Sequence, residues 1–258
     1  MPELPDLNVY AINLNKRLAG KKLEKIDVKN NGKLNVSVSE LKKAIEGNKL
    51  KRIYREGKEL HFEFSNGNIL GMHLMLNGRL YWFEGKNEKS NTIVEMHFED
   101  IGLVLTDYQG IANIALNPEI KDSPDALSDE VNYSFLKEKL SKKRTNIKTF
   151  LLDQNVIRGI GNAYADEILE ESKIHPESKC NKIPDDAIKA LAKDIKSVLK
   201  DAEKQILKIN PDIISGEERS FLKIHNSKKK ESPGGAKIHS KMVNSRITYY
   251  RDEQLLYE

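Results

Sequence analysis

Between residues 50 and 116 the chain is cut into short apolar-polar runs closed by turn signals, and this punctuation constrains the fold more than any other feature. The runs are 50–55, 59–64, 69–76, 79–83, 92–98, 103–106 and 111–116, and the dividers include Glu56-Gly57, Asn66-Gly67, Asn77-Gly78 and Glu84-Gly85. Runs of this length and spacing predict strands of a β-sandwich or flattened barrel. Upstream, Leu4, Leu7, Val9, Ile12, Leu14 and Leu18 recur on one side of a helical wheel, with Gly20 as a stop, and predict a helix over 6–19. A shorter helix is expected near 40–47. Downstream, a stretch rich in Pro, Asp and Ser leads into helical periodicity at 133–142, 147–152, 163–172 and 185–209. The chain then closes with two β-like runs, 237–243 and 246–251, joined at Asn244-Ser245. The fold class is therefore α+β and multidomain, with an N-terminal helix on a two-layer β-sandwich (1–117), a linker (118–131), a helical domain (132–216) and a terminal β-hairpin segment (217–258).

Charge is informative through its placement. The total is +4, but residues 219–246 hold eight Lys and Arg against the single acid Glu231, which leaves −3 on the rest. A basic segment of +7 on a near-neutral body is the footprint of a polyanion partner, and it equally suits a solvated basic loop. No apolar run approaches the ~18 residues that span a bilayer. The start, Met1-Pro2-Glu3-Leu4-Pro5-Asp6, has neither the basic nor the apolar region of a secretory signal. One cysteine, Cys180, allows no internal disulfide and no Cys-rich zinc site. A cytoplasmic protein is expected, associated with the nucleoid if the source is bacterial.

Two segments carry candidate chemistry. Removal of Met1 would leave Pro2 with a secondary α-amine, nucleophilic at neutral pH because an α-amine titrates near 8. Attack on the anomeric carbon of a sugar would give an iminium ion, an electron sink for elimination, and Glu3 is adjacent as proton donor or shuttle. The same residues also read as an ordinary helix start with proline in the first turn. The second segment is Asp153-Gln154-Asn155-Val156-Ile157-Arg158-Gly159-Ile160-Gly161-Asn162-Ala163-Tyr164. Glycines let the backbone approach a ligand, and the N–H groups at a new helix start suit an anion. A helix–turn–helix corner with packing glycines has the same spacing.

Taken together, Met1-Pro2-Glu3-Leu4-Pro5 and the stretch from Gln154 to Ile174-His175-Pro176 resemble the formamidopyrimidine-DNA glycosylase/endonuclease VIII family over residues 2 to 254. The resemblance implies a helix–two-turns–helix element in the helical domain. It also implies a bifunctional DNA glycosylase/AP lyase of base excision repair, excising oxidised or ring-opened bases through a Schiff base with β,δ-elimination. A non-catalytic relative that binds damaged DNA is the alternative.

By position, the resemblance makes Pro2 the nucleophile, Glu3 the general acid/base and Lys58 a lysine at phosphate beside the lesion. It makes His73 a DNA-binding residue near the family's groove between domains and Leu76 the apolar wedge at the extruded base. It makes Gly161 and Asn162 contacts to the DNA backbone, and Arg246 the finger arginine that bridges flanking phosphates. The implied partner is double-stranded DNA holding a damaged base or abasic site, bound by a monomer without cofactor. Two departures stand out. The finger stretch, normally four cysteines on zinc, has none, so a zincless finger is expected, with no metal, kept by packing of Ile238, Met242, Ile247 and Tyr249. The family loop Asp-Pro-Arg-Arg-Phe-Gly aligns with Asp107-Tyr108-Gln109-Gly110-Ile111-Ala112. Gly110 then stands for the arginine that reads the opposite base and Ile111 for the phenylalanine wedge, which predicts weak or different opposite-base discrimination unless a neighbour such as Tyr108 or Gln109 takes over.

Overall fold

Helix α1 (Leu4–Leu18) begins at Glu3 through a reciprocal cap. The Glu3 carboxylate accepts the N–H of Asp6, and the Asp6 carboxylate accepts that of Glu3 at 2.8 Å. Leu4, Leu7, Ala11, Leu14 and Leu18 form one buried stripe, Val9 and Tyr10 are buried beside it, and Ile12 is exposed. The computed structural model describes residues 1–258, arranged as two compact units. The first comprises Met1–Ile120 and Ile206–Glu217, the second Lys121–Gln205 and Glu218–Glu258. No helix is long and apolar enough to cross a membrane.

In the first unit, two antiparallel four-stranded sheets form the sandwich. One has the order β1 (Leu23–Val28), β6 (Thr92–Phe98), β7 (Ile101–Thr106), β5 (Arg79–Phe83). The other runs β2 (Leu50–Glu56), β3 (Glu59–Phe64), β4 (Ile69–His73), β8 (Asn113–Leu116). Phe62, Phe64, Leu80, Val94, Met96 and Leu105 fill the core, each such side chain contributing about 1.5–3 kcal/mol on burial. Gly102 leaves room for the Phe83 ring against β7, since a Cβ there would lie 2.1 Å from that ring unless it moved. Helix α2 (Val38–Ile45) is capped by Ser37 and Glu40. Asn15 on α1 bonds both backbone groups of Ile53 and so covers part of edge strand β2. The segment after Ile206 returns to this unit, where Asn13 Nδ2 donates to Ile213 O at 2.8 Å and Leu80 N to Ser215 Oγ at 3.0 Å.

The second unit holds α3 (Tyr133–Ser141), α4 (Ile147–Leu152), α5 (Asn162–Glu171) and α6 (Asp185–Ile209), the last running into the first unit at its C-terminal end. Strands β9 (His239–Val243) and β10 (Arg246–Tyr250) form an antiparallel hairpin. Asn244 and Ser245 take φ of 47° and 61°, both left-handed, as a two-residue type I′ turn demands. Residues after Lys121 run along this unit, where Arg158 N donates to Pro124 O at 2.9 Å and Ala126 N to Arg158 O at 3.0 Å.

Candidate active site

The first cluster is built on the start of α1. Pro2 and Glu3 are buried, and the Met1 amino group pairs with Glu217 Oε1. Lys58 lies in the two-residue loop between β2 and β3, where Gly57 takes φ 58° and Lys58 does not, the pattern of a type II′ turn. That loop is tied to α1 by Arg55, whose Nε donates to Asn8 Oδ1 at 2.6 Å while Nη1 donates to Gly57 O at 2.9 Å. One arginine thus fixes the lysine hairpin to the helix that begins at Glu3, a link that no sequence motif marked.

Two loops of the same unit present side chains to solvent. His73 Nδ1 accepts the N–H of Met75 at 3.0 Å, so its proton sits on Nε2. Met75 then takes φ 53°, and Leu76 stands 60% exposed on the turn. Gly78 closes that turn, its N–H donating to Leu74 O at 2.8 Å, and a Cβ there would lie 2.3 Å from the same oxygen. In the second loop the buried Asp107 carboxylate accepts the N–H groups of Gln109, Ile111 and Ala112 at 3.0, 2.9 and 2.7 Å. Gly110 has φ 66°, and Asn77 Nδ2 donates to Gln109 Oε1 at 2.6 Å, joining the two loops. The loop's exposed large side chain is Tyr108, at 69%, while Ile111 is half-buried. Asp107 as the organiser was legible in principle, since an Asp before a Gly-containing turn accepts local N–H groups.

In the second unit, Gln154 shapes the turn before α5. Its Nε2 donates to Leu152 O and Ile160 O at 3.0 and 2.9 Å, and its Oε1 accepts the N–H of Gly159 at 3.0 Å. Gly159 takes φ 102° there. Gly161 caps α5 without a side-chain hydrogen bond. Asn162 Nδ2 donates to Ile247 O on β10 at 3.0 Å, which leaves a second N–H on that amide. Arg246 is exposed at the head of β10 and lines a groove with Thr149, Leu152 and Asn244. His175 meets the Tyr250 ring edge-on at 4.7 Å, and burial holds its imidazole below the ordinary range.

The finger is not kept as its sequence suggests. Met242 and Ile247 are 62% and 53% exposed, and the buried hairpin residues are Val243 and Thr248. At the hairpin base, Arg251 Nη1 donates to Ser232 Oγ at 3.0 Å and Arg251 N to Gln254 Oε1 at 2.7 Å. A hydroxyl bonded to a guanidinium and an amide oxygen bonded to a backbone N–H offer no thiolate ligand for zinc. Cys180 lies elsewhere, buried, its thiol pushed up to about 11 by desolvation.

Comparison with known proteins gives a consistent result. Residues 1–114 match the formamidopyrimidine-DNA glycosylase N-terminal domain and residues 123–209 the formamidopyrimidine-DNA glycosylase H2TH domain. The chain is similar to the formamidopyrimidine-DNA glycosylase of Mycoplasma genitalium, 32% identical over 97% of this chain and 94% of that protein. It is also similar to that of Pelotomaculum thermopropionicum, 30% identical over 97% of each. Among solved structures, a complex between Lactococcus lactis Fpg and DNA containing an abasic site superposes with a TM-score of 0.86 at 26% identity, covering 97% of this chain and 98% of that one.

Proposed function

Since the chain belongs to the formamidopyrimidine-DNA glycosylase family, we propose that it is a DNA glycosylase for damaged bases that also cleaves the strand at the resulting abasic site. The observation that carries the reading is the joint placement of Pro2 and Glu3 at the buried start of α1, with the Lys58 hairpin fastened to that helix through Arg55 and Asn8. Cleavage of the Met1–Pro2 bond opens the Pro2 nitrogen where the Met1 backbone now departs.

In the proposed reaction the Pro2 nitrogen attacks C1′ of the damaged nucleotide while Glu3 delivers a proton to the sugar oxygen. The C1′–base bond breaks, the base leaving with the proton shed by the Pro2 nitrogen, and the C1′–O4′ bond opens as the protonated sugar oxygen becomes a hydroxyl. The iminium that forms acidifies the C2′ proton, whose removal expels the 3′ phosphate by β-elimination. A further elimination expels the 5′ phosphate, and water hydrolyses the iminium to restore the amine. This chemistry works through an amine and a carboxyl group alone.

Binding rests on phosphate contacts from Lys58, the Gly161-Asn162 helix start and Arg246, so affinity falls steeply with salt. Leu76 enters the gap left by the rotated nucleotide, at a cost of a few kcal/mol for unstacking that damage lowers. Tyr108 is the exposed aromatic on the neighbouring loop and takes the second insertion in place of the half-buried Ile111.

The test is a panel of duplexes, each with one oxidised or ring-opened base, with single-strand controls. Protein shown by intact mass to lack Met1 is expected to excise at least one lesion and nick the strand, and Pro2→Gly is expected to abolish nicking. Binding of damaged duplex without excision of any lesion would overturn the reading in favour of a non-catalytic damaged-DNA binder.

A further inference from the structure

Helix α5 buries three carboxylates, Asp166, Glu167 and Glu170, within ten residues. Buried charge is tolerable only when paired and hydrogen-bonded. Almost every partner comes from the C-terminal segment. Glu167 accepts the backbone N–H groups of Lys223, Ile224 and His225 at 2.8, 2.9 and 2.8 Å. Glu170 pairs with Arg251 and, at 2.9 Å, with Lys173. Asp166, fully buried, is the centre of the third set. Its Oδ2 accepts Tyr249 N at 3.0 Å and His225 Nδ1 at 2.7 Å, and an ionised carboxylate can only accept, so that nitrogen carries the proton. Its Oδ1 lies 2.7 Å from the ammonium of Lys148, an ionic contact without hydrogen-bond geometry. Lys148, 1% exposed, spends its hydrogens on Thr248 Oγ1 at 2.7 Å and Ile247 O at 3.4 Å.

These bonds converge on one strand. Ile247, Thr248 and Tyr249 of β10 are each held by an atom of α4 or α5, and the carbonyl of Ile247 is shared with the Asn162 amide. Arg246 is the next residue toward the hairpin tip. We infer that Asp166, with Lys148 and His225, is a positioning residue for DNA binding. Its carboxylate fixes the register of β10 against α5, so that the Arg246 guanidinium and the Asn162 amide face a duplex as one anion-binding surface. The carboxylate thereby fills the organising role that a thiolate-bound metal would have in a zinc finger. The inference rests on the reading of Asn162 and Arg246 as phosphate contacts.

The experiment is a double-mutant cycle on affinity for a duplex with a stable abasic-site analogue, measured across salt concentrations. Asp166→Asn keeps an acceptor for Tyr249 N but leaves the Lys148 charge unpaired, and is expected to weaken binding about tenfold. Arg246→Ala is expected to weaken binding and to lower the salt slope by about one. In a background carrying both Arg246→Ala and Asn162→Ala, Asp166→Asn should then change affinity less than about twofold, because both of its routes of action are already gone. Should Asp166→Asn fail to fold, His225→Phe takes its place. It keeps an aromatic ring where the imidazole meets Tyr249 edge-on at 5.0 Å and removes the ring nitrogens, the Nδ1 donor to Asp166 among them, and it should show a smaller loss with the same non-additivity. Full additivity overturns the inference while leaving the reading of Arg246 intact. An Arg246→Ala protein with unchanged affinity and salt slope overturns both. Neither outcome depends on excision, so failure of the glycosylase reading is seen separately, in the lesion panel.

Discussion

The sandwich and the finger solve the same problem, holding a polar site in place, with opposite materials. In the first unit the core is apolar, built from side chains such as Leu14, Phe62, Phe64 and Met96, whereas the candidate chemistry is carried by Pro2, Glu3 and Lys58. In the second unit the frame behind Arg246 and Asn162 is itself charged, with buried Asp166 bonded to Tyr249 of β10, Glu167 to the backbone of Lys223, Ile224 and His225, and Glu170 to Arg251. The lesson is that stability and function should separate in the first unit and travel together in the second.

The largest effect expected tests that separation. Glu3→Gln should lower excision about 10²–10⁴-fold, the range for loss of a general acid/base. The melting temperature should stay put, because the glutamine amide oxygen can still accept the Asp6 N–H that starts α1. A matching loss of stability would break the comparison. The converse variant is Phe62→Ala, which empties a fully buried site in β3 and should cost about 3–5 kcal/mol in urea unfolding. The protein that remains folded should excise at the normal rate.

Lys148→Met carries the comparison into the second unit. It strands the buried Asp166 carboxylate and should cost about 3 kcal/mol, with DNA affinity falling alongside. Smaller again is Tyr108→Ala, expected to slow lesion capture about tenfold, roughly the value of one stacked ring. Ile111→Ala should do much less. The check is the fluorescence of a 2-aminopurine placed opposite the lesion, and equal effects at the two positions would contradict the assignment. The smallest effect concerns Cys180. Its thiol is buried and raised to about 11, so at pH 8 it is almost wholly protonated and should resist alkylation until the protein unfolds.

Much of this was legible in the chain, and the misses have physical causes. Runs 59–64, 79–83 and 92–98 coincide with β3, β5 and β6 because alternation and turn residues agree there. Strand β1 escaped notice because a bulge between Leu23 and Lys25 resets its alternation and leaves its charged residues in view. Strand β4 stops at His73 although apolar residues continue to Leu76, since those residues belong to the turn that Gly78 closes. Strand β8 starts at Asn113 because the Asp107 carboxylate has taken the N–H groups of Ile111 and Ala112. Around the site, Pro2, Glu3 and Asn162 could be singled out from motifs. Asp166 could not, because acids on a helix read as a solvated face until their partners, about 60 to 80 residues away in sequence, are folded against them.

The proposed reaction requires a covalent bond between the Pro2 nitrogen and deoxyribose. The direct measurement is incubation of Met1-free protein with a lesion-bearing duplex and borohydride, followed by peptide mapping of the cross-linked species. The account predicts a stable adduct whose DNA remnant maps to the N-terminal peptide at Pro2, absent when Met1 is retained. No adduct from correctly processed protein, or one that maps to a lysine instead, would contradict it.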